Sequence, residues 1–169
     1  KIYLFDFAKD QYIDVVNEQL KAEENKLRDL QKELGSLEKN QSGMEKNIRS
    51  NIKAINSEKD DLVVLNNELT SLSAAIIEHN AEYLTMDPGE IKDEKAKYIK
   101  GLEKQKKKAI KTIKKSENKI SKADNTIGHA NWSIPRNDNT QENIRRLIAD
   151  QEAVVQKFSD KFNRVKAYK

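Results

Sequence analysis

The chain has 169 residues, of which 36% are charged and 36% hydrophobic, and a net charge of +4 at pH 7. The absence of cysteine excludes disulfides, thiol catalysis and Cys-ligated zinc, and no run of about 18 apolar residues exists to form a transmembrane helix. Two prolines and five glycines among abundant Lys, Glu, Leu, Ile and Asn mark long helices with a core one seam wide.

The first eight residues, KIYLFDFA, are aromatic and β-prone, unlike anything after them. They read as a junction with a larger body. The stretch is too short for a signal peptide and lacks a small-residue cleavage site. The missing initiator Met reads as an excised or processed form.

One helix is predicted over about 9–85. Its a positions run from Ile13 through Leu20, Leu27, Leu34, Gln41, Ile48, Ile55, Leu62, Leu69 and Ile76 to Tyr83. The d positions include Val16, Leu30, Leu37, Met44, Leu65 and Leu72, with Glu23, Asn51, Glu58 and His79 as polar exceptions. Ten heptads without a skip predict a coiled coil roughly 100 Å long. The stretch around 40–44, NQSGM, is its weak point.

TMDPGE, residues 85–90, ends this helix. Pro88 cannot continue it, and Gly89 supplies a turn. A return helix is predicted over about 90–134, with Ile99, Lys106, Ile113, Ile120, Ile127 and Ile134 at a, and Leu102, Ala109, Ser116, Ala123 and Ala130 at d. Pro135 is expected to stop it. A second return helix, about 140–168, is predicted with a seam of Ile144, Leu147, Gln151, Val154, Phe158, Val165 and Tyr168, and with Phe162 one position off. Asn139 is its expected N-cap, with Glu142 completing a capping box.

The short turn favours an all-α antiparallel coiled-coil hairpin. Pairing about the turn sets Ile76 level with Ile99, Leu62 with Ile113, Ile55 with Ile120 and Met44 with Ala130. The last segment is expected to pair differently, Leu37 with Ile144, Leu27 with Val154 and Ile13 with Tyr168. That shift requires about one extra heptad in the return, a mid-arm loop over 131–140. The expected organisation is a single coiled-coil arm over 1–169. Its distal half is 41–134 and its proximal half is 1–40 with 141–169. The joint at 131–140 faces 40–44, with Ser42, Gly43, Trp132 and Pro135 as its residues. Gly43 is expected to make room for the Trp132 indole, and the rod to bend there as an elbow.

Charge supports the pairing. Residues 91–122 hold 13 Lys and four acids, and the facing 54–84 carry a net negative charge. The lysine run, with Lys104, Lys107, Lys108, Lys111, Lys114 and Lys115 as possible anion ligands, could meet nucleic acid; a solvated face balanced by the acidic helix is the plainer alternative. His79 and His129 are too far apart in this register to share a metal. No phosphate loop, catalytic triad or zinc spacing is present, so no enzymatic activity, metal or cofactor is expected. The turn brings Tyr83, Leu84, Met86, Pro88 and Ile91 together, either as a contact patch or as residues that cap the hairpin end.

These features describe a structural arm, a spacer or lever with a protein partner at its tip or base. A homo-oligomer is possible, because Val63, Val64, Ile77 and Ile110 lie off the seam. Nucleic acid is possible but not favoured, and no membrane partner is expected. The architecture resembles the arms of SMC-type (structural maintenance of chromosomes) ATPases, which leave and re-enter a globular head. It departs from them in having neither room for a hinge domain nor a Cys-x-x-Cys hook. The alternative is the partner-binding helical hairpin of a secreted toxin or bacteriocin.

Overall fold

The computed structural model describes residues 2–167, with side chains from residue 6 onward. Two long helices pack against each other as an all-α hairpin: α1 (Ile2–Thr85) and α2 (Glu90–Ala167). Residues 86–89 are the turn. Helices of this length stand on tertiary burial of one stripe more than on propensity. Every a and d position assigned above to α1, from Ile13 to Tyr83, is buried or half-buried, and beside them Asn17, Ser73 and Ala75 are half-buried at the flanking e and g positions.

The chain divides into two compact units. The first comprises Lys1–Glu45 and Asn131–Lys169, the second Lys46–Ala130. In the second unit Ile55, Ile99, Leu102 and Ala109 are buried, and Ser116 is a buried polar seam residue. In the first unit Val16, Leu20 and Ile144 are buried, and Asn137 and Gln141 are buried polar residues.

Three expectations are corrected in the first unit. The helix begins at Ile2, before the predicted position 9, so the described part of the opening stretch is helical. More consequentially, α2 does not stop at Pro135: residues 131–140 are helix throughout, and there is no loop there. Asn139 is therefore a mid-helix residue and caps nothing. Pro135 lacks an N–H and so leaves the Asn131 carbonyl without its helical donor. It occupies a b position, on the side away from α1, where water can serve that carbonyl. Seam packing on both sides then carries the helix through.

Helical continuity also removes the register shift. Continuing the 99–134 heptad puts Asn137 at d and Gln141 at a, followed by Ile144, Ile148, Gln151, Val155, Phe158, Phe162 and Val165. All nine are buried or half-buried. Two cross-helix bonds fix the pairing. Asn137 Nδ2 donates to the Leu37 carbonyl at 3.0 Å, and Gln151 Nε2 donates to the Glu23 carbonyl at 3.1 Å. Leu37 thus pairs with Asn137, where Ile144 was expected. Leu147 is exposed, and Phe162 is on the seam. Tyr168, the expected partner of Ile13, lies outside the described residues.

Candidate functional site

The hairpin offers three chemically distinct places: polar layers in the seam, the turn, and the outward face of α2. The polar layers occur where a core position carries a polar side chain. At Glu23, the d-position carboxylate accepts from Gln151 Nε2 at 2.6 Å and from Lys26 Nζ at 2.8 Å. At Glu58, it accepts from Lys119 Nζ at 2.6 Å. Both carboxylates are held below the ordinary range, Glu23 by Lys26 and then Gln151, Glu58 by Lys119 and then Ser116. The same contact raises Lys119. Each side chain is only 17% exposed, so leaving it unpaired at these positions would be costly.

The most extended layer lies in the first unit. Gln41 Oε1 accepts from Gln141 Nε2 at 2.6 Å and from Asn137 Nδ2 at 3.4 Å. Gln141 Oε1 in turn accepts from Arg145 Nη2 at 3.0 Å, and Arg145 reaches Glu38 Oε1 at 2.9 Å. Gln41 Nε2 completes the chain on Glu45 at 3.4 Å. Among the described residues, no buried side-chain polar atom is left without a partner. Asn137, Gln141, Arg145 and Glu38 were not singled out in the sequence. The signal was present, since Gln41 already marked a polar a position awaiting a polar mate.

The predicted joint residues do not form a site. Trp132 falls at f, pointing away from α1, and is 61% exposed. Its ring is covered by Arg136, one turn on, with the guanidinium carbon 3.6 Å from the centroid. Gly43 has nothing within 4 Å of where a Cβ would stand, so it accommodates no indole. Ser42 is exposed, and Pro135 sits inside α2.

At the turn, Gly89 adopts φ 154°, a conformation L side chains rarely take, and this closes the hairpin. The last turn of α1 has no basic residue of its own. Lys92 supplies one from α2: its Nζ donates to the Met86 carbonyl at 2.8 Å and lies 4.9 Å from the Tyr83 ring centroid. Lys95 pairs with Glu82, whose carboxylate is lowered by Lys95 first and His79 second. The His79 ring meets Tyr98 edge-on at 5.0 Å. Tyr83 and Met86 are thus half-buried in the closure, and Pro88 shapes it. Leu84 and Ile91 differ, standing 79% and 73% exposed.

The outward face of α2 comprises its b, c and f positions. Lys97, Lys104 and Lys111 occupy f. Lys100, Lys107 and Lys114 occupy b. Lys108, Lys115 and Lys122 occupy c. All nine are exposed, and no acid shares the arc between them. The six predicted anion ligands are among them, and continuing the heptad adds Lys97, Lys100 and Lys122. The acids of this segment, Glu103 and Glu117, sit at e, beside the arc. Among the described residues, α2 here makes two ion pairs with α1, through Lys95 and Lys119, and neither uses the nine. Charge complementarity between the helices therefore leaves this face unneutralised.

A furrow of about 280 Å³ beside Glu58 and Lys119 is lined by Asn51, Ile55, Ile120 and Ala123. Among the described residues, no cluster of three or more His, Asp or Glu is spaced to hold a metal, and no helix is long and apolar enough to cross a membrane. In comparison with known proteins, no family model, no curated protein and no solved structure matches this chain.

Proposed function

We propose that the chain is a non-catalytic coiled-coil arm, a spacer or lever whose two helices are held against sliding past one another. The reading is carried by the polar layers. Glu23 with Gln151, Gln41 with Asn137 and Gln141, and Glu58 with Lys119 each find partners in one alignment of the two helices. A slip of one heptad would set Glu23 against Ile144 or Phe158 and Glu58 against Ala109 or Ala123, and unpaired polar groups in a seam penalise that slip. Resistance to sliding is what a spacer or lever requires. In this reading the chain does the work of an SMC-type arm or stalk, and the loop expected at 131–140 is replaced by continuous helix.

Two measurements test it. Cysteines at Leu62 and Ile113 should crosslink within one chain; crosslinking only between chains would sink the hairpin arm. Spin labels at Val63 and Leu84, both in the second unit, should give a narrow distance distribution centred near about 32 Å. A broad distribution would describe a tether and defeat the spacer reading.

A second reading, a hairpin that binds a partner through its turn, is favoured by the exposure of Leu84 and Ile91. Large apolar side chains beside a turn suit a contact patch. Leu84→Ser with Ile91→Ser should then abolish capture of that partner while leaving the melting temperature unchanged.

A further inference from the structure

The lysine face of α2 goes beyond a spacer role. Nine lysines over 97–122 lie in an arc of about 100° along about 38 Å of helix. At i,i+3 and i,i+4 spacing, neighbours such as Lys104 and Lys108, or Lys107 and Lys111, repel one another. A face needed only for solubility gains nothing from a single sign, because interspersed charges serve equally well. Charged positions in the first unit pair opposite signs in contrast: Lys26 with Glu23, Arg145 with Glu38, Arg146 with Glu142.

We infer that this face binds the phosphate backbone of double-stranded nucleic acid. A duplex presents one negative charge per roughly 1.7 Å of axis, so about 38 Å of it matches the lysine row with a surplus of phosphates. The partner's chemistry is narrowed by what the arc lacks. It contains no aromatic residue: Tyr98 falls at g, outside it, where its ring meets His79. Stacking on unpaired bases, the mark of single-strand binding, is therefore missing. The arc also lacks an apolar side chain to enter a lipid surface, as membrane-lying helices have. Ammonium groups act on phosphates as point charges and lack the planar fork suited to bidentate base recognition, so binding should depend little on sequence.

The test is fluorescence anisotropy with a labelled duplex of about 30 base pairs, at about 50 mM salt and then at rising salt. Affinity should fall steeply with salt, with a slope indicating roughly four to six phosphate contacts, since a straight helix follows a curved backbone only part of the way. Replacing Lys104, Lys107, Lys108 and Lys111 by Gln should weaken binding at least about tenfold and flatten the slope. The same four changed to Arg should restore it. A control set of four exposed lysines elsewhere, Lys21, Lys32, Lys39 and Lys53 changed to Gln, should alter affinity by less than about threefold, and circular dichroism should show all variants equally helical. Absence of duplex binding at low salt, equal losses in the two Gln sets, or binding to phosphatidylserine vesicles in place of the duplex would each overturn the inference.

Discussion

The second unit carries two outward faces of opposite character. On α2, residues 97–122 present nine lysines. On α1, the b, c and f positions over 63–85 present Val63, Val64, Ala74, Ile77, Ala81 and Leu84 among the uncharged Asn67, Thr70, Ser71 and Thr85, with Glu78 as the one charge. Val64 and Ile77 are 67% and 71% exposed. The two helices share one seam and one heptad, so the seam does not dictate the difference. Outward positions are free of packing constraint, and their chemistry reports what each face meets.

That separation predicts a graded set of responses. The largest effect belongs to the seam. Ile55→Ala, at a buried a position, should cost about 2–4 kcal/mol in denaturant unfolding. Val63→Ala, on the outward face of α1, should change stability by less than about 0.5 kcal/mol. A cost at Val63 approaching that at Ile55 would break the comparison, for it would mean that a second copy or partner already covers this face.

Next in size are two backbone substitutions. Pro135→Ala restores the missing donor within α2 and should stabilise the first unit by roughly 1–3 kcal/mol. Stability unchanged or lowered would mean that the helix draws something from the proline at that point. Gly89→Ala forces a Cβ into φ 154° and should destabilise the turn by about 1–3 kcal/mol.

Acid should act through Glu23, Glu58 and Glu82, whose hydrogen bonds hold their pKa values below the ordinary range. A lowered folded pKa contributes stability above the unfolded value, near about 4.3, and that contribution disappears as pH falls through the folded one. The melting temperature should therefore decline from about pH 5 downward, and less so in a Glu58→Gln variant. An equal decline in both would detach Glu58 from the effect. Lys119, raised by Glu58, adds stability that is complete below its unfolded pKa and is lost as pH rises through the folded one.

The smallest effect sharpens the comparison most. Neutralising Lys104, Lys107, Lys108 and Lys111 relieves like-charge pairs worth about 0.2–0.5 kcal/mol each, so the duplex-defective variant should be slightly more stable at low salt. Added salt should remove that advantage. A variant that lost both binding and stability would instead mark these lysines as part of the packing.

The hairpin, both heptad registers up to Ile134 and the turn at 86–89 were legible in the sequence, because Ile and Leu recur at 3.5-residue spacing on either side of a Pro-Gly break. The stretch 131–140 was not. Proline and three asparagines, Asn137 among them, with the polar Gln141 just after, imitate a loop when read against an apolar template. Their seam role appears only once Gln41 and the Leu37 carbonyl stand opposite them. A neighbouring frame, through Leu147 and Val154, offered enough apolar residues to suggest a shifted pairing. Tertiary partners selected between frames that periodicity left nearly equal. The turn patch was legible only as a group; that Lys92 would tie down Met86 and Tyr83 while Leu84 and Ile91 stayed exposed depended on geometry.

The turn also sets an order of events in time. Contacts near it join residues a few positions apart, such as Lys92 with Met86, whereas Gln151 meets Glu23 across 128 positions of chain. Closing short loops costs less entropy than closing long ones. The chain can therefore zip from residues 86–89 outward, each pair shortening the loop that the next must close. A nascent chain emerging in this order would have its turn sealed before Gln151 is made, and fraying would run in reverse, with Glu23 and Gln151 parting long before Tyr83 and Lys92.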